Sequence, residues 1–296
     1  MPKAAKMHMA FYENLHYKTL YNILRLSFDS WLNHRDSSRG AALAFYTLFS
    51  LTPILILSIA IAGYFFGTDA AQGQIIHQIQ NLVGKNGAEA IQALLAAARD
   101  PKAGMFATVV AMGLLVVGAT TVFAELKSTL DDIWGTKKST ISGISLLLRT
   151  RLLSLSLVLV LAFLLLISLV VSAALAMLQE YVGGVWSSSA SLFNILSGIF
   201  TFMVIACLFG VIYKLLPDAP LSWHDVIVGS LVTAMLFTLG KYFIGIYLGN
   251  SAIDSSFGAA GSLVALMLWV YYSAQIFFFG AEFTRQYALN YGSLNK

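Results

Sequence analysis

Charged residues are scarce in this chain of 296 residues. Asp, Glu, Lys and Arg together make up 11% of it, against about a quarter in soluble domains. Apolar residues make up 58%, which is more apolar surface than a soluble core of this length can hide. The composition therefore predicts a membrane protein.

Cysteine and the usual catalytic patterns are also nearly absent. Because the chain has one cysteine, Cys207, it forms no internal disulfide, and a small packing residue is favoured over a reactive thiol. The five histidines are scattered, and no His-Glu-x-x-His, paired cysteine ligands, phosphate loop or G-x-S-x-G elbow occurs. We therefore expect no enzyme, no catalytic residues, no metal and no cofactor.

Long apolar stretches are abundant. They run over 41–66, 104–124, 152–178, 192–213, 226–248 and 257–281. Each has at least the roughly 20 residues that a helix needs to cross a bilayer core. The predicted fold is all-α: a polytopic membrane protein with six transmembrane helices, an N-terminal interfacial helix and an outer helical hairpin. No acid lies in the middle third of any stretch, so we expect charges to stay near the two water-facing boundaries.

The basic residues predict the topology, because loops rich in Lys and Arg stay in the cytoplasm. On one side we place Lys3, Lys6, Lys18, Arg25, Arg35, Arg39, Lys127, Lys137, Lys138, Arg149, Arg151, Lys214, Arg285 and Lys296, and on the other Lys85, Arg99 and Lys102. Both termini are then cytoplasmic. Residues 41–66 are interpreted as a retained span and not as a removed signal peptide.

Three regions follow from this topology. Residues 1–40 form a cytoplasmic amphipathic segment, 41–284 a six-helix transmembrane domain with an outer helical loop at 67–103, and 285–296 a cytoplasmic tail. The first region carries an apolar helical stripe of Tyr17, Tyr21, Leu24, Phe28, Trp31 and Leu32. Such a helix lies in the inner headgroup layer or packs on its own bundle. In the outer loop, two apolar stripes separated at 84–87 predict a helical hairpin, either a lid or a fixed cap.

Polar side chains within the spans are the candidates for a substrate path, because lipid offers no hydrogen bonds. The candidates are Tyr46, Ser50, Asn194, Thr201, Thr233, Lys241, Gln275 and Glu282. The alternative for each is a contact that holds two helices together. Pro53 predicts a helix kink. Lys241 either contacts a phosphate or carboxylate headgroup, or reaches outward to Asp254. Nearby Arg285 is the expected partner of Glu282, and Lys127 that of Glu125.

Three segments together resemble the YihY/BrkB family of bacterial inner-membrane proteins. They are residues 39–53 (RGAALAFYTLFSLTP), residues 129–135 (TLDDIWG), and a third segment that starts at 216–218 (LPD) and continues through Trp223, Tyr247, 261–263 (GSL) and 268–272 (LWVYY) to 280–282 (GAE). At position 132 the family pattern has asparagine, where this chain has aspartate. The resemblance implies a multi-pass protein of the bacterial inner (cytoplasmic) membrane.

Three functional hypotheses remain open. The leading one is a transporter or flippase-like translocator of lipid or another amphiphile, with membrane lipids as partners and no nucleic acid. The second is a non-transporting scaffold for envelope assembly, with a second copy or an envelope protein as partner. The third is a ribonuclease, which is the label that some members of the family carry. RNA hydrolysis would need metal ligands or an acid–base pair.

Overall fold

The described part of the chain is helical. The computed structural model describes residues 20–98, 121–136, 189–250 and 261–295. The helices in these ranges are α1 (20–33), α2 (Asp36–Phe66), α3 (Thr68–Ala98), α4 (121–133), α5 (Ser189–Leu215), α6 (Trp223–Asn250) and α7 (Gly261–Asn290). The predicted all-α class is confirmed. The predicted span 152–178 and residues 104–120 of its predecessor lie outside the described residues, so the number of six spans stays a prediction.

Three of the described helices are long and apolar enough to cross a membrane. The qualifying segments are Ile195–Leu215, Trp223–Tyr247 and Leu263–Asn290, which overlap the last three predicted spans. In α5 only 6% of the most apolar segment of the helix is buried inside the protein. Since an apolar helix exposed on most of its surface needs an apolar solvent, α5 is suited to contact lipid.

The last helix is longer than predicted. The expected span ended at residue 281, whereas α7 continues to Asn290. Its polar residues beyond that point are buried, among them Glu282, Thr284 and Gln286. Partners from other helices cover these side chains, so the polar residues extend the packed helix instead of ending it at a water boundary.

The outer segment is helical as predicted, but the predicted break is wrong. Residues 84–87 are helical, and α3 is one element from Thr68 to Ala98. Each of the two glycines there costs about 1 kcal/mol relative to alanine. Packing offsets that cost, because Ile76, Ile91 and Leu95 are buried in a cluster with α2 and α7 residues.

α1 turns most of its predicted apolar stripe away from the bundle. The residues that it buries are Ile23 and Ser27, whereas Tyr21, Leu24 and Leu32 of the stripe are exposed. This orientation leaves an exposed apolar surface on α1, and the interfacial interpretation of the helix stays a prediction.

α4 fastens the turn between α5 and α6. Lys127 Nζ donates to Asp131 Oδ2 at 3.0 Å and to Asp218 Oδ2 at 2.8 Å, so its partners are not the predicted Glu125. Asp132, one residue further, accepts from Arg39 Nη2 at 2.7 Å. The aspartate that departs from the family pattern thus supplies the charge for an ion pair between α4 and α2.

α6 and α7 approach each other closely at glycines. A Cβ added at Gly229 would lie 2.6 Å from Thr284 Cβ, and one at Gly280 would lie 2.1 Å from Thr233 Oγ1. Small residues allow helix backbones to approach in this way in membrane proteins. The pair therefore forms a rigid base against which other elements pack.

Replacing Gly229 by alanine should destabilise the protein by roughly 1–3 kcal/mol, the usual cost of overpacking. Rotating Thr284 cannot remove the clash, because its Cβ does not move with the rotamer. The measurement is thermal unfolding in detergent. The control is Gly245→Ala on the same helix, where a Cβ meets no described atom within 4 Å. Equal stability of the two variants would contradict the close packing of α6 and α7.

Candidate functional site

An apolar groove lies between α1, α6 and α7. Its volume is about 400 Å³, which lies within the usual range for small-molecule sites of about 300–1,000 Å³. The lining residues are Phe28 and Trp31 of α1, Leu236, Leu239, Gly240 and Phe243 of α6, and Tyr272, Gln275, Ile276 and Phe279 of α7. Among the described residues, no charged side chain lines it.

The groove lies between α1 on one side and the closely packed α6–α7 pair on the other. Phe28 and Trp31 stack with ring centroids 5.8 Å apart and supply one wall. At Gly240 the opposite wall is tightly packed, since a Cβ there would lie 2.5 Å from Ile276 Cδ1. The groove is therefore bounded by a rigid helix pair on one side and a single short helix on the other.

A buried titratable cluster lies next to the groove; we call His34, Asp36 and Glu282 the acid cluster. His34 Nδ1 is in hydrogen-bond contact with Glu282 Oε1. His34 comes three residues after Trp31 of the groove wall, and Glu282 three residues after Phe279. The acid cluster is thus one helical turn from the groove along both α1 and α7.

Glu282 is buried within the protein, whereas its predicted position near a water-facing boundary suggested contact with water. Its side chain has no exposed surface, and its contact is with His34 and not with the expected Arg285. Its second oxygen, Oε2, is buried without a hydrogen-bond partner in the described part of the chain. The helix α1 makes this burial possible, because it covers the carboxylate and presents an imidazole to it.

Asp36 begins α2, ahead of the apolar run 41–66, and is also fully buried. Neither of its carboxylate oxygens has a hydrogen-bond partner among the described residues. Burial, and after it the charge of Glu282, raise the pKa of Asp36 from 3.8 to about 7. Burial lowers the pKa of His34 below 6.5 and outweighs the opposing charge of Asp36.

Two arginines lie near the acid cluster without neutralising it. Arg39 is held by Asp132 in the ion pair between α2 and α4. The charge of Arg285 acts on both His34 and Glu282, but among the described residues it forms no ion pair with an acid. The cluster therefore contains two buried acids, and neither arginine forms an ion pair with them.

Two of the eight predicted path residues lie at this site. Gln275 lines the groove, donates from Nε2 to the carbonyl of Ser37 at 3.4 Å, and has a buried Oε1 without a described partner. Glu282 belongs to the acid cluster. Gly40 lets Gln275 approach α2, since a Cβ there would lie 2.1 Å from its Nε2.

The other predicted residues lie elsewhere. Ser50 donates to the carbonyl of Tyr46 at 3.0 Å within α2, and exposed Thr201 donates to that of Ser197 at 2.9 Å within α5. Lys241 is half-buried on α6 and does not line the groove. Pro53 lies inside the continuous helix α2. The side chains of Pro53 and Asn194, and the whole of Asp254, lie outside the described part.

Thr233 joins helices instead of lining a path. It is fully buried, donates to the carbonyl of Gly229 at 2.7 Å and lies 3.2 Å from the hydroxyl of Tyr213. Tyr213 in turn donates to the carbonyl of Phe277 at 2.7 Å. The alternative interpretation of Thr233 as a contact between helices is the one that the geometry supports.

Sequence reasoning missed four residues of the site: Phe28 and Trp31 as groove walls, and His34 and Asp36 as cluster members. The two aromatic residues belong to the predicted stripe, but the stripe does not say which of its members line a groove. His34 and Asp36 carry no sequence signal, and the structure supplies the reason for their positions. They flank Arg35, which has left-handed backbone angles (φ 58°), and this kink between α1 and α2 aims both side chains at α7.

Comparisons of the sequence with known proteins identify a matching family. The profile of the family described as Virulence factor BrkB matches residues 27–295. A UPF0761 membrane protein of Verminephrobacter eiseniae is 28% identical over 250 residues, covering 83% of this chain and 57% of the relative. One from Actinobacillus pleuropneumoniae is 25% identical over 264 residues, covering 88% and 91%. The chain thus spans little more than half of some relatives. No solved structure matches it.

The raised pKa of Asp36 makes stability depend on pH. An acid with a higher pKa in the folded protein than in the unfolded chain costs stability when it ionises. The cost is absent below pH 3.8, grows as the pH rises to about 7, and is complete above that. Asp36→Asn removes it, so the variant should be more stable than the parent at high pH by at least about 1 kcal/mol.

Thermal unfolding of both proteins in detergent, across this pH interval, measures the difference. The gain from Asp36→Asn should increase with pH and level off above about 7. The control is Asp29→Asn on α1, because that side chain is 55% exposed and its loss should change little at any pH. A gain from Asp36→Asn that is the same at all pH values would show that Asp36 is not ionising in this interval.

Proposed function

The chain belongs to the BrkB family of membrane proteins, and we propose that it moves a lipid or another amphiphile across or out of the bacterial inner membrane. The observation that carries this proposal is the apolar groove between α1, α6 and α7. The proposed role is not catalytic. It needs a protein that accepts an apolar chain from the side and offers polar groups nearby.

The groove suits the hydrocarbon part of an amphiphile. Its lining is almost entirely apolar, and Leu239 and Phe243 on its α6 side are exposed on the helix surface. An acyl chain in the surrounding lipid can therefore reach it without crossing a polar barrier. An acyl chain gains little hydrophobic free energy when it moves from lipid into the groove, because both surroundings are apolar. Binding therefore depends on packing and on the polar end of the ligand.

The polar end of the ligand is best accommodated where the groove meets α2. Gln275 lies there with an amide, and Arg285 follows on the same helix beyond the acid cluster. This replaces Lys241, the residue favoured from sequence, because Lys241 is absent from the described lining. An amide that both donates and accepts hydrogen bonds fits a polar headgroup.

The distribution of basic residues supports a cytoplasmic position for this end of the bundle. The contacts Arg39–Asp132, Lys127–Asp218 and His34–Glu282 bring together α1, α4, the turn 216–222 and the second half of α7. Positive residues collected at one end of a membrane protein favour the cytoplasmic side. We therefore propose that both termini are cytoplasmic.

A scaffold for envelope assembly is the second candidate. It is favoured by the exposed apolar side chains of α5, among them Ile195, Leu196, Ile199 and Met203, which would fit a partner helix as well as lipid. The ribonuclease hypothesis draws less support. His34 and Glu282 do form an acid–base pair, but Glu282 has no exposed surface for a nucleic acid to reach.

Purified protein in lipid vesicles should accelerate the exchange of fluorescent phospholipid between leaflets relative to empty vesicles. The variant Leu236→Trp places a larger side chain in the groove and should lower this rate by tenfold or more, since it displaces the bound chain. The neighbouring variant Met235→Trp is the control, because Met235 is 51% exposed and does not line the groove. Chemical reduction of the outer-leaflet fluorophore measures the rate.

Two outcomes would contradict the proposal. Wild-type protein that leaves the exchange rate at the level of empty vesicles would remove the translocator function. Equal rates for Leu236→Trp and Met235→Trp would show that lipid does not move through this groove. Unfolding temperatures of both variants are measured first, so that a loss of fold is not mistaken for a blocked groove.

A further inference from the structure

α1 is fastened to α7 by two polar contacts on successive turns. Gln286 Nε2 donates to Ser30 Oγ at 2.9 Å, and His34 Nδ1 contacts Glu282 Oε1. The two helices run in opposite directions here, since Ser30 precedes His34 while Gln286 follows Glu282. The first contact joins neutral groups, whereas the second joins two groups that change charge with pH.

At the second contact, the carboxylates of Glu282 and Asp36 together carry more negative charge, when both are ionised, than the surrounding groups neutralise. Glu282 and Asp36 have no exposed surface, and three of their four carboxylate oxygens have no described hydrogen-bond partner. The groups that face them are His34 from the end of α1, Arg39 and Asp132 as an ion pair from α2 and α4, and Arg285 from α7. With His34 neutral, two ionised carboxylates in this position would have no ion-pair partner among the described residues and would repel each other.

A bound cation or proton would remove this cost. The described residues contain no group of three His, Cys, Asp or Glu side chains arranged to hold a metal ion. A proton needs fewer ligands, and the contact between an imidazole nitrogen and a carboxylate oxygen is a place where one can be held. The raised pKa of Asp36 agrees with a second proton on that carboxyl group.

We propose that His34, Asp36 and Glu282 form a proton-binding site that controls the docking of α1 on α7. With protons bound, one bridges His34 Nδ1 and Glu282 Oε1, and another neutralises Asp36. When the protons leave to water, two adjacent carboxylates remain behind a neutral imidazole. Their repulsion and the cost of burying them then favour a state in which α1 moves away and water reaches the site.

Movement of α1 would change the groove, because Phe28 and Trp31 form its α1 wall. Proton release would then remove the α1 wall of the groove and proton uptake would restore it, which links lipid movement to protonation. This link rests on the proposed function, whereas the proton site itself does not. The two can fail separately.

Infrared difference spectroscopy on the whole protein in lipid tests the proton site. Spectra at about pH 5 and about pH 8, the range in which histidine titrates, should differ by the C=O stretching band of a protonated carboxyl group in apolar surroundings. The band should shrink in Asp36→Asn and in Glu282→Gln, and remain in the control Asp29→Asn. If the band keeps its full intensity in both Asp36→Asn and Glu282→Gln, the proposal is overturned.

Spin-label distances test the docking of α1. In a Cys207→Ser background, labels at Leu24→Cys on α1 and Ile227→Cys on α6 use two exposed positions. The distance distribution should be narrow at about pH 5 and broader or longer at about pH 8, with no pH dependence once Asp36→Asn and Glu282→Gln are added. If Glu282→Gln does not fold, Asp36→Asn alone should reduce the change. An identical distribution at both pH values would refute the docking switch.

The two proposals give distinguishable failures. A pH-dependent carboxyl band together with equal lipid exchange in Leu236→Trp and Met235→Trp would keep the proton site and reject the groove as a lipid path. Lipid exchange that depends on the groove but is the same at both pH values would keep the proposed function and reject the proton coupling.

Discussion

The burial of the Glu282 carboxylate beneath α1 is the constraint on which the rest of the site depends. A carboxylate without exposed surface needs a partner, and His34 reaches it only if α1 lies against α7. That position of α1 also places Phe28 and Trp31 opposite α6 and so creates the groove. Groove and acid cluster are therefore two consequences of one docked helix.

The rigid pair of α6 and α7 provides the surface for this docking. Glycines let the two backbones approach, and Tyr213 and Thr233 add hydrogen bonds at the same level. α1 is a short helix, and its described polar contacts to α7 are Ser30–Gln286 and His34–Glu282. Such a helix is easier to release than a span packed through glycines, which is why α1 is the element expected to move.

The sequence predicted the all-α class and the last three apolar helices, because these follow from composition and hydropathy. The last three apolar stretches are long apolar helices, and the segment between α5 and α6 contains two prolines. Element ends were less predictable. Hydropathy suggested that the last span ends before Glu282, yet partners from other helices bury Glu282 and Gln286 and carry the helix further.

The site itself was only partly predictable. Gln275 and Glu282 were found because polar residues within apolar helices stand out in a sequence. His34 and Asp36 did not stand out, because they lie in a polar, basic segment where charged residues are ordinary. Their importance comes from the kink at Arg35, which aims them at a helix about 250 residues further along the chain, and no local pattern encodes such a contact.

Cryo-electron microscopy of the protein in a lipid nanodisc would examine the docked α1 and its groove most directly. We expect α1 against α7 at low pH, His34 next to Glu282, and elongated acyl-chain density between Phe28 and Phe279. A map in which α1 lies away from α7 at every pH, or in which side chains of the protein fill the space between α1, α6 and α7, would contradict the groove as a lipid site.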